Sequence, residues 1–553
     1  MIPSSAQRHF SFPLRELLSL VAAISFAQPA SADFGLITSD PNVYTVDTGA
    51  GLVFQVRRDD PPGALRAPGD ICSLKWKGAE VQLWDRGSHL ASGFPPCTIK
   101  AGTIGEDIVQ ITVDSPEVTH YYVARRGVPH IYMASYLTDK WPVGETRWVT
   151  HLNGESLKKR PICSDLEGTD RSIESRDVYA MPNGQTRSKY YGNSRAKELP
   201  LRGVTGPGIG VFMAFGSRET SSGGPFFRDI QNQSAEVYNY MNSGHNQTER
   251  FRLGLHGYYA LVFTDGPEPR QPDFGFMDNL GIKGSIPASK RSVVEGPAIR
   301  GRDRRYTYTV ALTNREAQNW ADARPDTGAF RVINVKPGAY KLEIFKNELC
   351  VLTDEINVDE GKTTTLPVIN ISDDPSMVKA LWRIGDWDGT PMELLNGDKV
   401  TLMHPSDVRM ATWKRGPVLA DRADCGRSLP CYQWRGVNDQ QDIVFRLNNQ
   451  QLLNSKLRIG ITVATSGARP IVSVNGKWNS PVPPMSDQPN SRSMTIGTYR
   501  GNNATFTYDI PASALQSGTN TLRFSPISGS GGGGFLAPGY SIDCIDFIQS
   551  KVP

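Results

Sequence analysis

The chain has 553 residues, with 60 Lys or Arg and 56 Asp or Glu, so its formal net charge at pH 7 is only +4. A charge so near balance implies no particular partner and gives no indication of nucleic-acid binding, while the length suggests two to four domains of about 150 residues each. Short apolar or alternating segments separated by Gly, Pro, Asn and Asp recur along the chain, whereas helical periodicity is scarce. This pattern predicts an all-β protein built from sandwiches.

The first 32 residues have the pattern of a secretory signal peptide. Arg8 and Arg15 make a cationic start, an apolar run covers 17–27, and the sequence ASA at 30–32 fits a cleavage site. The apolar run is far shorter than the roughly 20 residues that span a bilayer, and no later segment is long enough. We therefore expect a secreted, extracellular protein that is not held in a membrane.

The seven cysteines of an exported chain favour disulfide bonds. Cys72 and Cys97 flank a predicted hairpin, and Cys425 and Cys431 bracket a short loop, so we predict these two bonds. The other three cysteines are an odd set and leave at least one thiol unpaired. No cysteine or histidine cluster has the spacing of a zinc site, so no metal site of this kind is predicted.

The first predicted domain, residues 33–277, is a large β-sandwich. Its predicted strands include the segments 43–47, 52–57, 81–84, 108–113 and 120–124. Its middle part is basic, with eleven Lys or Arg against seven Asp or Glu between residues 147 and 202. A solvated charged face accounts for most of this excess, although an acidic extracellular polymer as partner would account for it too.

Two smaller domains follow. Residues 280–367 contain the alternating strand 305–312 and a strand–turn–strand pattern over 328–344, which fits a fibronectin-III-like sandwich with a structural role. Residues 375–553 end with a Gly-rich turn at 529–534 and an alternating strand at 540–547, which is typical of a jelly-roll, carbohydrate-binding-like domain. Tryptophans in such a domain are more often part of the core than platforms for sugars.

The stretch YNYMNSGH at 238–245 is too polar for a buried strand. In an extended segment, Tyr238 and Tyr240 lie on one face because they are two residues apart. Gly244 allows the backbone to bend or approach a ligand just before His245, whose imidazole can exchange a proton near neutral pH. By itself, this stretch is better explained as a tyrosine-rich sheet face followed by a loop histidine.

Other short motifs accompany this one along the mature chain: DFGL at 33–36, VDTGA at 46–50, GETR at 144–147, SKY at 188–190, GLHG at 254–257, IGDWDGTP at 384–391 and HPSD at 404–407. Together they make the whole mature chain resemble the rhamnogalacturonan lyases of polysaccharide lyase family 4. That family has the same order of domains: a large catalytic β-sandwich, a fibronectin-III-like domain and a jelly roll.

The resemblance implies β-elimination in the backbone of rhamnogalacturonan I, an acidic plant cell-wall polysaccharide of pectin. The bond cleaved would join rhamnose to galacturonic acid, and the new end would be a 4,5-unsaturated uronic acid. The reaction needs a cation to neutralise the uronate, a base to remove the C5 proton and a donor to protonate the leaving O4.

The same resemblance assigns roles to residues. It makes Lys189 and His245 catalytic, Arg147 the ligand of the substrate carboxylate, and Tyr238 and Tyr240 substrate-binding residues that line the cleft. We assign Lys189 as the base and His245 as the donor to O4, while the reverse assignment is also chemically sound.

A lysine base must be uncharged, and like-charge repulsion from the neighbouring Arg187, Arg195 and Lys197 would favour this state. His256, flanked by apolar residues, is expected to belong to the core. No acidic cluster accompanies the basic residues, so we expect no cofactor for catalysis and place any structural calcium in the C-terminal domain. We also expect a monomer.

Two other functions stay open. The chain could be a non-catalytic pectin-binding protein of the same fold. It could also be a pectin glycoside hydrolase that acts through two carboxylates, for which Glu145, Glu236 and Glu249 are available near the motifs.

Overall fold

The computed structural model describes residues 33–59, 67–83, 85–489, 491–528 and 535–549. The predicted signal peptide at 1–32, Trp84 and the Gly-rich turn at 529–534 lie outside the described residues. Within them, the regular elements are β-strands and short 3-10 helices, which confirms the all-β class. None of the described helices is long and apolar enough to cross a membrane.

The strands fall into three groups along the chain. The first unit contains β1 (Gly35–Ile37), β2 (Val43–Asp47), β3 (Leu52–Arg57), β4 (Ile71–Trp76), β5 (Ala79–Glu80), β6 (Ser88–Leu90), β7 (Thr98–Ile104), β8 (Ile108–Asp114), β9 (Val118–Arg125), β10 (His130–Leu137), β11 (Thr146–Thr150), β12 (Arg171–Glu174), β13 (Val178–Ala180), β14 (Thr186–Ser188), β15 (Leu201–Gly206), β16 (Ile209–Phe215), β17 (Asn232–Gln233), β18 (Glu236–Asn242) and β19 (Gly254–Thr264).

The second unit contains β20 (Ser292–Gly296), β21 (Ile299–Arg300), β22 (Tyr308–Thr313), β23 (Gln318–Asp322), β24 (Phe330–Val335), β25 (Gly338–Lys346), β26 (Leu349–Val358), β27 (Thr363–Thr365) and β28 (Ile369–Asn370). The third unit contains β29 (Trp382–Gly385), β30 (Val418–Leu419), β31 (Tyr432–Trp434), β32 (Gln441–Leu447), β33 (Ser455–Thr465), β34 (Arg469–Val474), β35 (Trp478–Asn479), β36 (Ala504–Ile510), β37 (Gly518–Ile527) and β38 (Gly539–Gln549). The 3-10 helices are Ile162–Ser164, Ala196–Glu198, Gly275–Asn279, Ala288–Lys290, Pro375–Met377, Cys425–Ser428, Asn449–Gln451, Ser493–Thr495 and Ala512–Ala514.

The first unit is a sandwich of two antiparallel sheets. One sheet has the order β1-β2-β3-β4-β6-β11-β18-β17, with β5 on β4, and the other has the order β15-β16-β19-β10-β9-β8-β7. Phe54 and Leu74 from the first sheet share one apolar core with Ile111 and Met213 from the second. Strands alternate their side chains between two faces, so this core also fixes which residues point outward.

Strand β18 carries the outward face on which the site is built. Val237 and Met241 point into the sandwich core, whereas Tyr238 and Tyr240 point the other way and pack under a layer formed by β12, β13, β14 and the segment after them. Every residue of β18 is buried. The expectation that this stretch is too polar for a buried strand is therefore wrong, because a second layer covers its polar face.

The second and third units are also sandwiches. In the second, Val294 and Val332 from the sheet β24-β20-β27 pack with Val310 and Leu342 from the sheet β23-β22-β25-β26. In the third, the sheets β29-β38-β33-β36, with β31 on β38, and β30-β32-β37-β34-β35 enclose one core. Trp382, Trp387 and Trp434 are buried in the third unit, as expected for core tryptophans.

The third unit packs on the layer that covers β18. The carboxylate of Asp407 accepts hydrogen bonds from the backbone N–H of Thr186 at 2.6 Å and from its hydroxyl at 2.8 Å. The hydroxyl of Tyr191 donates to the carbonyl of Thr495 at 2.8 Å, and a Cβ at Gly497 would lie only 2.2 Å from the carbonyl oxygen of Tyr190. Strand β14 and the residues after it are thus held from both sides.

Two further predictions about the fold are wrong. Of the predicted strand 81–84, the described residues form only an isolated bridge between Gln82 and Leu152. The predicted disulfides are absent, because Cys97, Cys425 and Cys431 carry free thiols.

Side-chain direction explains the missing bonds. The thiol of Cys72 faces the carbonyl of Gln55, and that of Cys97 faces the carbonyl of Pro68. Cys425 begins a 3-10 helix and directs its sulfur to the carbonyl of Arg383, whereas Cys431 is fully buried. Closeness in sequence therefore did not imply that the sulfur atoms meet.

Candidate active site

His245 lies on the turn that follows β18. Its backbone N–H donates to the hydroxyl of Ser243 at 2.9 Å, which fixes the turn. The imidazole lies against two tyrosine rings, with centroid distances of 5.1 Å to Tyr190 and 6.0 Å to Tyr240. One-fifth of the side chain is exposed, so the imidazole can reach a ligand on the surface.

The two imidazole nitrogens have different partners. Nδ1 lies 3.1 Å from both oxygens of Asp229, and Nε2 lies 3.2 Å from the hydroxyl of Tyr190 and 3.6 Å from Oε2 of Glu145. Burial by itself lowers the pKa of His245, but Asp229 and then Glu145 outweigh burial and raise this pKa above its ordinary value, while the charge of Lys189 acts against them. The site therefore favours the imidazolium.

Arg147 lies at the start of β11, directly across the ladder from Tyr240. Its Nη1 lies 2.9 Å from Oε1 of Glu145, and the hydroxyl of Tyr240 donates to the same oxygen at 2.9 Å. Burial, followed by the charges of Asp229 and Glu145, raises the pKa of Tyr240 well above its ordinary value. Glu145 thus links the guanidinium, a protonated phenol and the imidazole.

Lys189 follows β14 on the covering layer. Its Nζ lies 3.1 Å from one oxygen of Asp177, whose other oxygen lies 2.9 Å from Arg492 of the third unit. Its Nζ is 5.6 Å from the centroid of the Tyr190 ring, the same ring that packs on His245. The structure therefore brings Lys189, His245 and Arg147 around two adjacent tyrosines.

The three basic residues expected to repel the charge of Lys189 each have a partner of their own. Arg187 donates to the carbonyl of Thr186, Arg195 pairs with Glu198 and Glu348, and Lys197 pairs with Asp322. Each of these cations is turned toward its own partner, because a partly buried cation is stable only when it is paired. The ionic partner of Lys189 itself is a carboxylate.

Tyr238 occupies a less accessible position than predicted. The rings of Tyr238 and Tyr240 lie on one face, 6.0 Å apart, as expected from their spacing. However, the hydroxyl of Tyr238 donates to the carboxylate of Glu236, which Arg86 also binds, and only 7% of the residue is exposed. Burial raises the pKa of Tyr238 well above its ordinary value. Contact between Tyr238 and a substrate stays a prediction.

Sequence reasoning missed three residues of the site: Asp177, Asp229 and Tyr190. They come from separate loops or strand ends, so no spacing relates them to His245. For Asp229 there was a signal, because it is an acidic residue within the largely apolar segment FFRDI at 226–230. His256, by contrast, is buried as predicted, and burial lowers its pKa to about 3.

The other acidic candidates are bound elsewhere. Glu236 accepts from Tyr238 and Arg86, and Glu249 pairs with Arg252. Across the part of the chain that the structure describes, no group of three or more His, Cys, Asp or Glu side chains is arranged to hold a metal ion. The expectation of structural calcium in the C-terminal domain stays a prediction.

Comparisons with known proteins cover nearly the whole chain. The family described as "Rhamnogalacturonan lyase B, N-terminal" matches residues 34–284, and those described as domains II and III of polysaccharide lyase family 4 match 290–366 and 380–547. The chain is similar to "Probable rhamnogalacturonate lyase A" of Aspergillus terreus, with 38% identity over 93% of this chain and 95% of the relative. It is 35% identical to rhamnogalacturonate lyase A of Emericella nidulans, over 97% of this chain and 100% of the relative, and 35% identical to that of Aspergillus aculeatus, over 96% and 99%.

Proposed function

Because the chain belongs to polysaccharide lyase family 4 and is a polysaccharide lyase, we propose that it cleaves the backbone of rhamnogalacturonan I by β-elimination. The bond broken joins rhamnose to galacturonic acid, and the product carries a 4,5-unsaturated uronic acid at its new end. The names of its relatives support the substrate class, since several are called rhamnogalacturonate lyase A.

The observation that carries the proposal is the arrangement of Arg147, Lys189 and His245 around Tyr190 and Tyr240. The three cationic side chains are each between one-fifth and one-quarter exposed. A uronate that enters this surface meets a guanidinium, an amine and an imidazole at once. These are the groups that a carboxylate, an acidic C–H and a leaving oxygen require.

Arg147 is the cation for the substrate carboxylate. Its guanidinium pairs with Glu145 at the surface, and a uronate offers the same two oxygens in the same planar geometry. The substrate can therefore take the place of Glu145. Neutralising the uronate in this way makes the neighbouring C5–H more acidic, which lowers the barrier to proton abstraction.

Lys189 and His245 complete the elimination. The amine of Lys189 takes the proton from C5, the electron pair forms the C4=C5 double bond, the C4–O4 bond breaks, and Nε2 of His245 gives its proton to O4. The Asp229–His245 contact supports the donor role of His245, because it favours the imidazolium. For Lys189 to act as the base, its ammonium group must first lose a proton to solvent and its pairing with Asp177 must be broken when substrate binds.

Product analysis tests the reaction class. Incubating the purified enzyme with rhamnogalacturonan I should shorten the polymer and produce the ultraviolet absorbance of the unsaturated uronate. Shortening without this absorbance would indicate a hydrolase, and binding without shortening would indicate a pectin-binding protein. Equal activity on homogalacturonan would assign the enzyme to a different pectin substrate.

Heavy-water exchange separates the two catalytic roles. If Lys189 removes the C5 proton, substrate incubated with His245→Ala in heavy water should gain deuterium at C5, and Lys189→Ala should give no label. Label with Lys189→Ala alone would mean that the roles are reversed.

Secretion and the cofactor expectation are tested separately. Protein recovered from the culture medium of the producing cells should begin at Asp33. Activity should survive a chelator, and a lower unfolding temperature of the third unit in chelator would support structural calcium there. Light scattering should give the mass of a monomer.

A further inference from the structure

Asp229 is a buried carboxylate that faces His245 from the loop before β17. Its side chain is only 2% exposed, and both of its oxygens lie 3.1 Å from Nδ1 of His245. Its Oδ1 also accepts the backbone N–H of Ile230 at 2.7 Å, which fixes the carboxylate in place. With so little of its side chain exposed, Asp229 is almost inaccessible to a substrate on the surface.

His245 is the cation that faces the buried carboxylate of Asp229. The adjacent Arg228 turns away, with Nη2 at 3.1 Å from Glu348 and 3.2 Å from the hydroxyl of Tyr499. Among the described residues, His245 is the ion-pair partner of Asp229. An isolated buried carboxylate is strongly unfavourable, so the pair is most stable when the imidazole carries the compensating charge.

We propose that Asp229 is a positioning residue that holds the Nδ1–H of His245, keeps the imidazole protonated and leaves Nε2 to exchange a proton with the substrate. The proposal deepens the proposed function, because it rests on the donor role of His245. Asp229 itself touches no reacting atom and acts through the histidine.

The other groups around His245 cannot replace Asp229. Glu145 faces Nε2, but it is one-third exposed and shares its other oxygen with Arg147 and Tyr240. A uronate bound to Arg147 would displace the carboxylate of Glu145 from this position. Tyr190 and Tyr240 are neutral, and the charge of Lys189 opposes an imidazolium. Asp229 is thus the negative group whose position does not change when substrate binds.

The tautomer of His245 in the unmodified enzyme is the first test, and it requires no variant to fold. A neutral imidazole that donates from Nδ1 must accept at Nε2, and the hydrogen bond at one nitrogen decides the tautomer of the other. Nitrogen chemical shifts of labelled histidine, recorded above the titration of His245 and assigned with His245→Asn, should show a protonated Nδ1. A protonated Nε2 in the neutral ring would overturn the proposal.

The second test compares Asp229→Asn and Asp229→Glu with the parent full-length enzyme, without substrate. The amide side chain keeps the shape of the carboxylate but removes its charge, so Asp229→Asn should lower the pKa of His245, while Asp229→Glu should keep it near that of the parent. Glu236→Gln is the matched control, because it removes another buried carboxylate that binds Tyr238 and Arg86. An unchanged His245 titration in Asp229→Asn would overturn the proposal.

Kinetics then separates this proposal from the proposed function. At neutral pH, Asp229→Asn should reduce kcat by at least about tenfold with little change in KM, as expected when a smaller fraction of the general acid is protonated. Because the donor must be protonated, the alkaline limb of the pH profile of kcat should lie at lower pH in Asp229→Asn than in the parent. Asp229→Glu should recover part of kcat. If the titration of His245 moves in Asp229→Asn but His245→Asn retains its turnover, the donor role of His245 is wrong, whereas the contact itself stands.

Discussion

Two groups of buried carboxylates, one in the first unit and one in the third, have different surroundings. In the first unit, Asp229 faces the imidazole of His245. In the third unit, Asp388 and Asp543 are buried beside the partly buried Glu393, and the charges that act on them are mostly those of one another. The carboxylate of Asp543 accepts hydrogen bonds from the backbone N–H groups of Gly389 and Thr390 rather than from a cationic side chain.

The difference shows that a cation within hydrogen-bond reach decides what burial does to an acid. In the third unit, burial and then neighbouring carboxylates raise the pKa of Asp388 to about 6, that of Glu393 to about 8, and that of Asp543 well above its ordinary range. In the first unit, the group whose pKa is raised is the imidazole of His245, which faces Asp229. One arrangement favours protonated carboxyl groups, and the other favours a protonated imidazole.

The largest effect is expected from removing the cation of the first unit. His245→Asn should reduce turnover by about 10²- to 10⁴-fold, because the proton donor is lost. The parent should also lose stability as pH rises above ~6.5 and through the raised pKa of His245, whereas the variant lacks this group, so its unfolding temperature should fall less steeply over that range. Calorimetry over a pH series checks this, and parallel pH curves for variant and parent would show that His245 does not compensate Asp229.

Arg147→Ala removes the partner of Glu145, the exposed carboxylate of the same site. Turnover should fall by about 10²-fold or more, since a preorganised charge contact to the substrate is removed. Stability should hardly change, because Glu145 is accessible to water and loses little when its partner is removed. Arg147→Lys is the matched control, which keeps the charge but not the planar fork. Equal kcat/KM for Arg147→Ala and the parent would remove Arg147 from catalysis.

Glu393→Gln tests the acids of the third unit. A raised carboxyl pKa in the folded state stabilises the protein below the pKa of the unfolded state, and this stability is lost as pH rises through about 8 for Glu393. The variant should therefore unfold a few degrees higher than the parent at pH ~8 and less so at pH ~5. Glu355→Gln, at an exposed position, is the control. A gain that does not depend on pH would contradict the raised pKa.

The smallest effect is expected from Tyr238→Phe. The phenol is buried on Glu236, so its loss should cost about 1 kcal/mol of stability and change kcat/KM by less than about tenfold. Tyr240→Phe should have a larger kinetic effect, because its hydroxyl binds Glu145 beside His245. If Tyr238→Phe is the more damaging of the two, a substrate must reach deeper than the structure indicates.

Much of the fold was predictable from local patterns. Strands β2 and β3 have the predicted bounds, and the alternating segments of the second and third units form strands. The polar strand β18 was not predictable, because its burial depends on a covering layer that begins more than 40 residues earlier in the chain. The disulfides failed for a related reason, since loop length does not give the direction of a side chain.

The site was predictable only in part. The family resemblance named Arg147, Lys189, His245 and Tyr240, and the structure brings these four together. Their catalytic roles stay predictions. The carboxylates Asp177 and Asp229 could not be found from spacing, because long-range folding brings them to Lys189 and His245.

The contact between Asp407 and β14 limits how this enzyme can be re-engineered. Thr186, which Asp407 binds, lies three residues before Lys189, so a change in the third unit alters the anchor of the proposed base. A chimaera that exchanges residues 375–553 for a foreign sugar-binding module would break this anchor, even if both parts fold. The third unit and the covering layer of the first unit would have to be exchanged together. An exchange at the linker between domains would separate these two parts.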